Sequence, residues 1–152
     1  MQGKLWVDIS LYGGSVVSVD PATGHVSDAP ESSIPQAASD NSLWVAAWTE
    51  VDRIDPATNA LVAHIPLARV VQTAAGLNEV WALTETGSTS STLYEPDQSR
   101  PATLVLIDPS TNSVVGTPIN VGISPAHMAV GQGAVWVAQY DSGMVTRVDL
   151  TG

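Results

Sequence analysis

Apolar residues in this chain come in short runs separated by Gly, Asp, Asn, Ser and Pro. The clearest stretch lies near the end. Met128-Ala129-Val130-Gly131 is one run and Gln132-Gly133 a tight turn. Ala134 to Tyr140 is a second run, Asp141-Ser142-Gly143 another turn, and Met144 to Asp149 a third run. Short β-prone runs bounded this way predict an antiparallel meander. No apolar stripe of helical period persists beyond two turns, so almost no helix is expected.

The pattern repeats. An apolar segment built on Trp is followed, 11 to 27 residues later, by an Asp that opens a turn. The pairs are Trp6 with Asp20-Pro21-Ala22-Thr23-Gly24, and Trp44 with Asp55-Pro56-Ala57-Thr58-Asn59. Then come Trp81 with Asp108-Pro109-Ser110-Thr111-Asn112, and Trp136 with Asp149-Leu150-Thr151-Gly152. The tryptophans stand 38, 37 and 55 residues apart. A period near forty in a strand-rich chain predicts a β-propeller, whose blades are four-stranded antiparallel sheets.

Naming the strands A to D outward from the propeller axis, the chain opens on a B strand and stops after a C strand. The blades span about 4–28, 36–65, 72–119 and 127–149. The first lacks strand A and the last lacks strand D, giving fourteen strands, or two complete blades flanked by two partial ones. The expectation is all-β, a single domain over 1–152, and an incomplete propeller. It would be completed by further blades in a longer parent chain or by a homodimer that closes the ring. Residues 85–103, rich in Ser, Thr, Pro and Gly, read as a loop inserted between strands B and C of the third blade, and they explain the longest spacing.

Composition narrows the function classes. With 15 acidic against 5 basic residues the net charge is −10, and no basic stripe exists to neutralise phosphates, so nucleic acid is not an expected partner. The longest apolar run, Leu43 to Trp48, is six residues, so no membrane insertion is expected. Met1-Gln2-Gly3-Lys4-Leu5-Trp6 has no apolar h-region, so no signal peptide is expected there. There is no Cys, which removes disulfides and thiol chemistry.

The recurring Asp carboxylates suit turns better than calcium. An Asp at the first turn position accepts a bond from the amide two residues on, and Pro presets the next φ. Calcium needs six or more oxygens at one point, whereas these Asp residues fall one per blade. The four strand-B tryptophans read as wedges packed between blades. Trp48 lies four residues past Trp44; Glu85 and Tyr140 hold the matching places after Trp81 and Trp136, so these three read as surface-lining. Gly131-Gln132-Gly133 lacks the third Gly of a dinucleotide fingerprint and precedes a strand. The histidines His25, His64 and His127 are scattered singly; His127, at the start of a strand A, is the best functional candidate among them.

Ser124-Pro125-Ala126-His127-Met128-Ala129-Val130-Gly131, followed by Ala134-Val135-Trp136-Val137-Ala138 and Val145-Thr146-Arg147-Val148-Asp149, resembles the repeat of YVTN-type propellers. It is also similar to the repeat of streptogramin (virginiamycin B) lyases. Such repeats occur in lyases, sensor domains and binding scaffolds, and the resemblance allows an extracellular or periplasmic setting. The lyases place histidines directly after Pro at the start of strand A, one of them preceded by Glu, and use magnesium. Here Ala126 follows Pro125, His127 stands one place later, Ser124 precedes Pro125, and Gln36 follows Pro35. A one-residue shift turns a side chain to the other strand face. Three residues past each strand-B Trp, where the lyases carry Glu, stand Ile9, Ala47, Thr84 and Gln139.

No catalytic or metal-ligating residue is therefore assigned. The expectation is a non-catalytic binding or scaffold module within a larger sensor or surface protein. The alternative is a fragment of a lyase-like enzyme with magnesium as its cofactor. In a meander the B–C and D–A connectors emerge on one face, and the insertion belongs to it. The candidate ligand- or partner-binding residues there are Trp48, Arg69, Glu85, Tyr94, Arg100, His127 and Tyr140, with Tyr12 nearby. The partner is a protein or a small molecule.

Overall fold

Each apolar run forms a strand, and the turn residues between runs reverse the chain. A computed structural model describes residues 5–8, 16–28, 35–39, 41–58, 60–76, 78–86 and 100–150. Strands β1 (Leu5–Asp8), β2 (Val16–Val19) and β3 (Val26–Asp28) make one antiparallel sheet. Strands β4 (Pro35–Ser39), β5 (Ser42–Ala46), β6 (Trp48–Asp55), β7 (Ala60–Gly76), β8 (Glu79–Glu85), β9 (Pro101–Asp108) and β10 (Ser113–Ile123) are hydrogen-bonded in series. Strands β11 (Pro125–Gly131), β12 (Ala134–Gln139) and β13 (Val145–Asp149) make the last sheet. No helix occurs among the described residues.

The series of seven is two blades joined by one strand. The first part of β7 pairs with β6, from Asp55↔Ala60 to Glu50↔Pro66, as the outer strand of the second blade. Its last part pairs with β8, from Val70↔Thr84 to Gly76↔Glu79, as the inner strand of the third blade. Among the described residues thirteen strands stand where the sequence predicts fourteen, because Val70 pairs with both Trp48 and Thr84 and the ladder never breaks. The inner strands β4, β7 and β11 lie side by side. The fold is an all-β propeller arrangement of two complete blades flanked by two partial ones. Among the described residues its sheets do not close into a ring.

The insertion is shorter than its composition suggests. Glu85 still belongs to β8 and pairs with Ala102, and β9 begins at Pro101. Hydroxyls of Thr84 and Thr103, 2.7 Å apart across this ladder, extend it past the apolar run.

The core lies between blades. Trp44, Val51, Ile65 and Val70 pack against Val80, Ala82, Val105 and Ile107 of the third blade. On the other face of that blade, Trp81, Leu83, Ala102 and Leu104 pack against Met128, Val135 and Val137 of the fourth. β8 is thus buried on both faces, which is why it reads as a continuous rather than alternating apolar run. Polar ties cross the same joints. Thr73 Oγ1 donates to the Trp44 carbonyl at 2.9 Å. The Gln72 amide accepts from Met128 N–H at 2.7 Å and donates to Met128 O at 3.1 Å.

The wedge role holds for Trp44 and Trp81, which are 0% and 5% exposed. It does not hold for Trp136, which is 37% exposed. The face of β12 that carries Trp136 points away from the third blade, which Val135 and Val137 on its other face meet. The side chain of Trp6 lies outside the described residues.

Candidate functional site

Asp20, Asp55 and Asp108 do what turn chemistry requires. Their Oδ1 atoms accept the amide N–H of Ala22, Ala57 and Ser110 at 2.8, 2.7 and 2.7 Å. The Ala22 amide holds the Asp20 carboxyl below the usual range, and the Ser110 hydroxyl and amide do so for Asp108. The Asp149 carboxylate pairs with Arg147 on its own strand, and the amide two residues on, at 151, lies outside the described residues. These turns sit at the end of the propeller opposite the B–C connectors. A shallow depression of about 200 Å³ there is lined by Asn78, Leu106, Asp108, Pro109 and Val115. That is small beside the 300–1,000 Å³ of ordinary ligand pockets.

The other end gathers the expected residues. Between β5 and β6 the chain turns tightly, with Thr49 N–H on the Ala47 carbonyl at 2.6 Å and Ala47 N–H on that of Glu50 at 2.9 Å. The turn drives Trp48 to φ 58° and leaves its indole 64% exposed. Arg69, where β7 crosses between blades, also has positive φ, 46°, and its guanidinium lies 5.0 Å from the Trp48 ring centre. Left-handed backbone costs an L-residue about 1–2 kcal/mol and is rare for a bulky one. Arg69 Nη2 then donates to Glu85 Oε2 at 3.2 Å, and Arg100 Nη1 reaches the same oxygen at 3.4 Å. Ser124 N–H donates to the Arg100 carbonyl, and Tyr140 N–H to that of Ser124, both at 2.9 Å.

A connected line of groups therefore runs over three blades: Trp48, Arg69, Glu85, Arg100, Ser124, Tyr140. Both ends of the line are exposed aromatics, Tyr140 at 83%. Two of the chain's five basic residues lie on it, in a protein of net charge −10. Glu85 departs from its expected surface-lining role, since it is buried and serves as the shared acceptor for two guanidiniums. Tyr94 and Tyr12 lie outside the described residues.

His127 stands elsewhere. A register shift between Pro125 and His127 sets His127 opposite Ala138, on the exposed face of β11. Thr84 and Gln139, three residues past their tryptophans, are buried and committed to internal bonds. Gln139 Nε2 donates to Val121 O at 2.6 Å and to Thr146 Oγ1 at 2.7 Å, while its Oε1 accepts from Ser142 at 2.9 Å. Magnesium favours carboxylate oxygens in octahedral array. A buried hydroxyl and a buried amide, both already bonded, do not supply that set.

Sequence reading missed one cluster. Asp52 and His64 face each other across the β6–β7 ladder, with His64 Nδ1 2.6 Å from Asp52 Oδ1 and 3.5 Å from Glu50 Oε2. All three candidate ligand atoms lie within 4.8 Å of one another, so a divalent cation could be held there. Counting outward from the Asp55↔Ala60 pair sets residue 52 opposite 63, and a register shift between Arg53 and Ile54 moves it to His64, so hairpin counting alone does not find the pair.

No family model matches the sequence, and no curated protein is detectably similar to it. Among solved structures, the chain is similar to BamB from Moraxella catarrhalis, a β-propeller, with a TM-score of 0.52 and 12% identity. That match covers 95% of this chain and 50% of BamB, so the chain spans half the length of that protein. Kuenenia stuttgartiensis hydrazine synthase aligns at a TM-score of 0.40 and 13% identity, over 90% of this chain and 60% of that one. At such identities the likeness establishes the fold alone.

Proposed function

We propose that the chain is a non-catalytic binding or scaffold module that captures a protein or small-molecule partner on the face running from Trp48 to Tyr140. The observation that carries this is Trp48: a large aromatic, mostly exposed, in a backbone conformation that disfavours it. Strain at an exposed aromatic is the signature of a side chain kept for contact rather than for folding. The stacked Arg69 limits the indole's motion, and Arg69 and Arg100 give an acceptor-bearing partner two guanidiniums. Rigid aromatics and arginines are the residue types that dominate binding energy.

The test is capture by immobilised protein, comparing the native chain with Trp48→Ser, Tyr140→Ser and a chain in which residues 87–99 are replaced by a short Gly-containing turn. Loss of a hot-spot aromatic weakens binding by at least about 2 kcal/mol, roughly thirtyfold. Unchanged folding with lost capture supports the reading; equal capture by all three variants overturns it. The alternative, magnesium-dependent opening of a cyclic depsipeptide, rests on the repeat resemblance. Turnover of such a substrate, dependent on magnesium and abolished by His127→Ala, would displace the non-catalytic reading.

A further inference from the structure

Blade packing in this molecule uses a side-chain joint that occurs twice but is closed only once. In the second blade Trp44 sits opposite Arg53, whose guanidinium lies 5.2 Å from the indole centre. Arg53 Nη1 then crosses to the Asp-Pro turn of the third blade, donating to Pro109 O at 2.6 Å and Asn112 Oδ1 at 2.8 Å. Its Nε is held by Ser42 Oγ at 2.8 Å. A guanidinium stacked on a Trp thus fixes the angle between neighbouring blades.

The fourth blade repeats the first half of this joint. Trp136 sits opposite Arg147 in the same register, and Arg147 lies 5.4 Å from the indole centre. No described turn meets this guanidinium, which folds back onto Asp149. The rest of the face is prepared in the same way. Val145 stands on the same strand face as Arg147, with Met144 beside it at the strand's start, and both are exposed. His127 holds the register position that Gln72 holds in the third blade, two residues past the Trp partner, where Gln72 ties one inner strand to the next.

We infer that this face of the fourth blade docks the first blade of a second copy of the chain, with Arg147 binding the turn at residues 20–24. That turn shares the side-chain bond of the Asp108 turn, Ala22 N–H on Asp20 Oδ1 as Ser110 N–H on Asp108 Oδ1, and is further closed by Gly24 N–H on Asp20 O. The Pro21 carbonyl occupies the place of the Pro109 carbonyl. Gly24 replaces Asn112, so the joint keeps one of its two acceptors. Asp20 adds a negative charge beside an arginine that is one of only five cations in the chain. Two head-to-tail contacts related by a two-fold axis close a ring and leave neither face exposed. The Arg147 joint and the line from Trp48 to Tyr140 share no residue, so either reading can fail without the other.

The absence of Cys makes the test clean. Sedimentation equilibrium of the full chain should give twice the chain mass. Arg147→Glu should weaken association at least tenfold while leaving the far-UV spectrum unchanged. If Arg147→Glu fails to fold, the Arg147→Cys and Pro21→Cys pair decides. Mixing the two single-cysteine chains should give an intermolecular 21–147 disulfide on mild oxidation. A monomer at all concentrations, a dimer indifferent to Arg147→Glu, assemblies larger than two, or a 147–147 disulfide formed as readily as 21–147 would each overturn the inference.

Discussion

A carboxylate two residues ahead of a backbone amide decides the acid behaviour of this protein's turns. In Asp108 the Ser110 hydroxyl and amide stabilise the ionised form and hold its pKa below the usual range. A depressed native pKa means that the stabilisation is present above the unfolded value, near pH ~4, and is lost as pH falls through the native one. Asp108→Asn keeps an oxygen acceptor but cannot titrate. Its unfolding midpoint should fall less than that of the native chain between about pH 4 and pH 2, read by thermal melts across that range. The same scale holds the Trp48 prediction. Gly tolerates φ 58°, so Trp48→Gly relieves about 1–2 kcal/mol of strain and forfeits about 0.5–1 kcal/mol of stacking with Arg69. Its stability should be equal to or above that of the native chain in chemical denaturation. A loss beyond about 1 kcal/mol would show that the indole serves the fold rather than a partner.

At the scale of elements, position in the stack outweighs residue type. β8 is enclosed by blades on both sides, whereas β12 is enclosed on one. Leu83→Ala on β8 should cost about 2–5 kcal/mol, because the site is fully buried and cannot collapse. Trp136→Ala on β12 removes a larger side chain yet should cost less in the isolated chain, since its face is open. Denaturant unfolding of both variants at low protein concentration, where pairing is weakest, tests this order. β7 shows the same rule in the backbone. The sequence reading ends one blade at 65 and starts the next at 72. The chain instead bends at Arg69 and continues, because ladder partners wait on both sides.

At the scale of the molecule, pairing through Arg147 would couple stability to concentration. A dimer is stabilised by mass action, so the thermal midpoint should rise with protein concentration, and Arg147→Glu should abolish that rise. Sequence alone determined the all-β class, the blade period and the turn chemistry, because each is local: alternation, Trp spacing and an Asp two residues from an amide. It also placed Trp48, Arg69, Glu85 and Arg100 on one face, since a meander sends alternate connectors to the same end. What only tertiary structure decided is which of these groups touch and which lie covered. Glu85 is buried because two guanidiniums from different connectors converge on it. Gln139 is structural because Val121, 18 residues earlier, presents a carbonyl to it. Trp44 is a wedge and Trp136 a half-open surface, although both occupy the same place in the repeat. The difference lies in whether another blade stands against them, and a repeat unit carries no record of its neighbour.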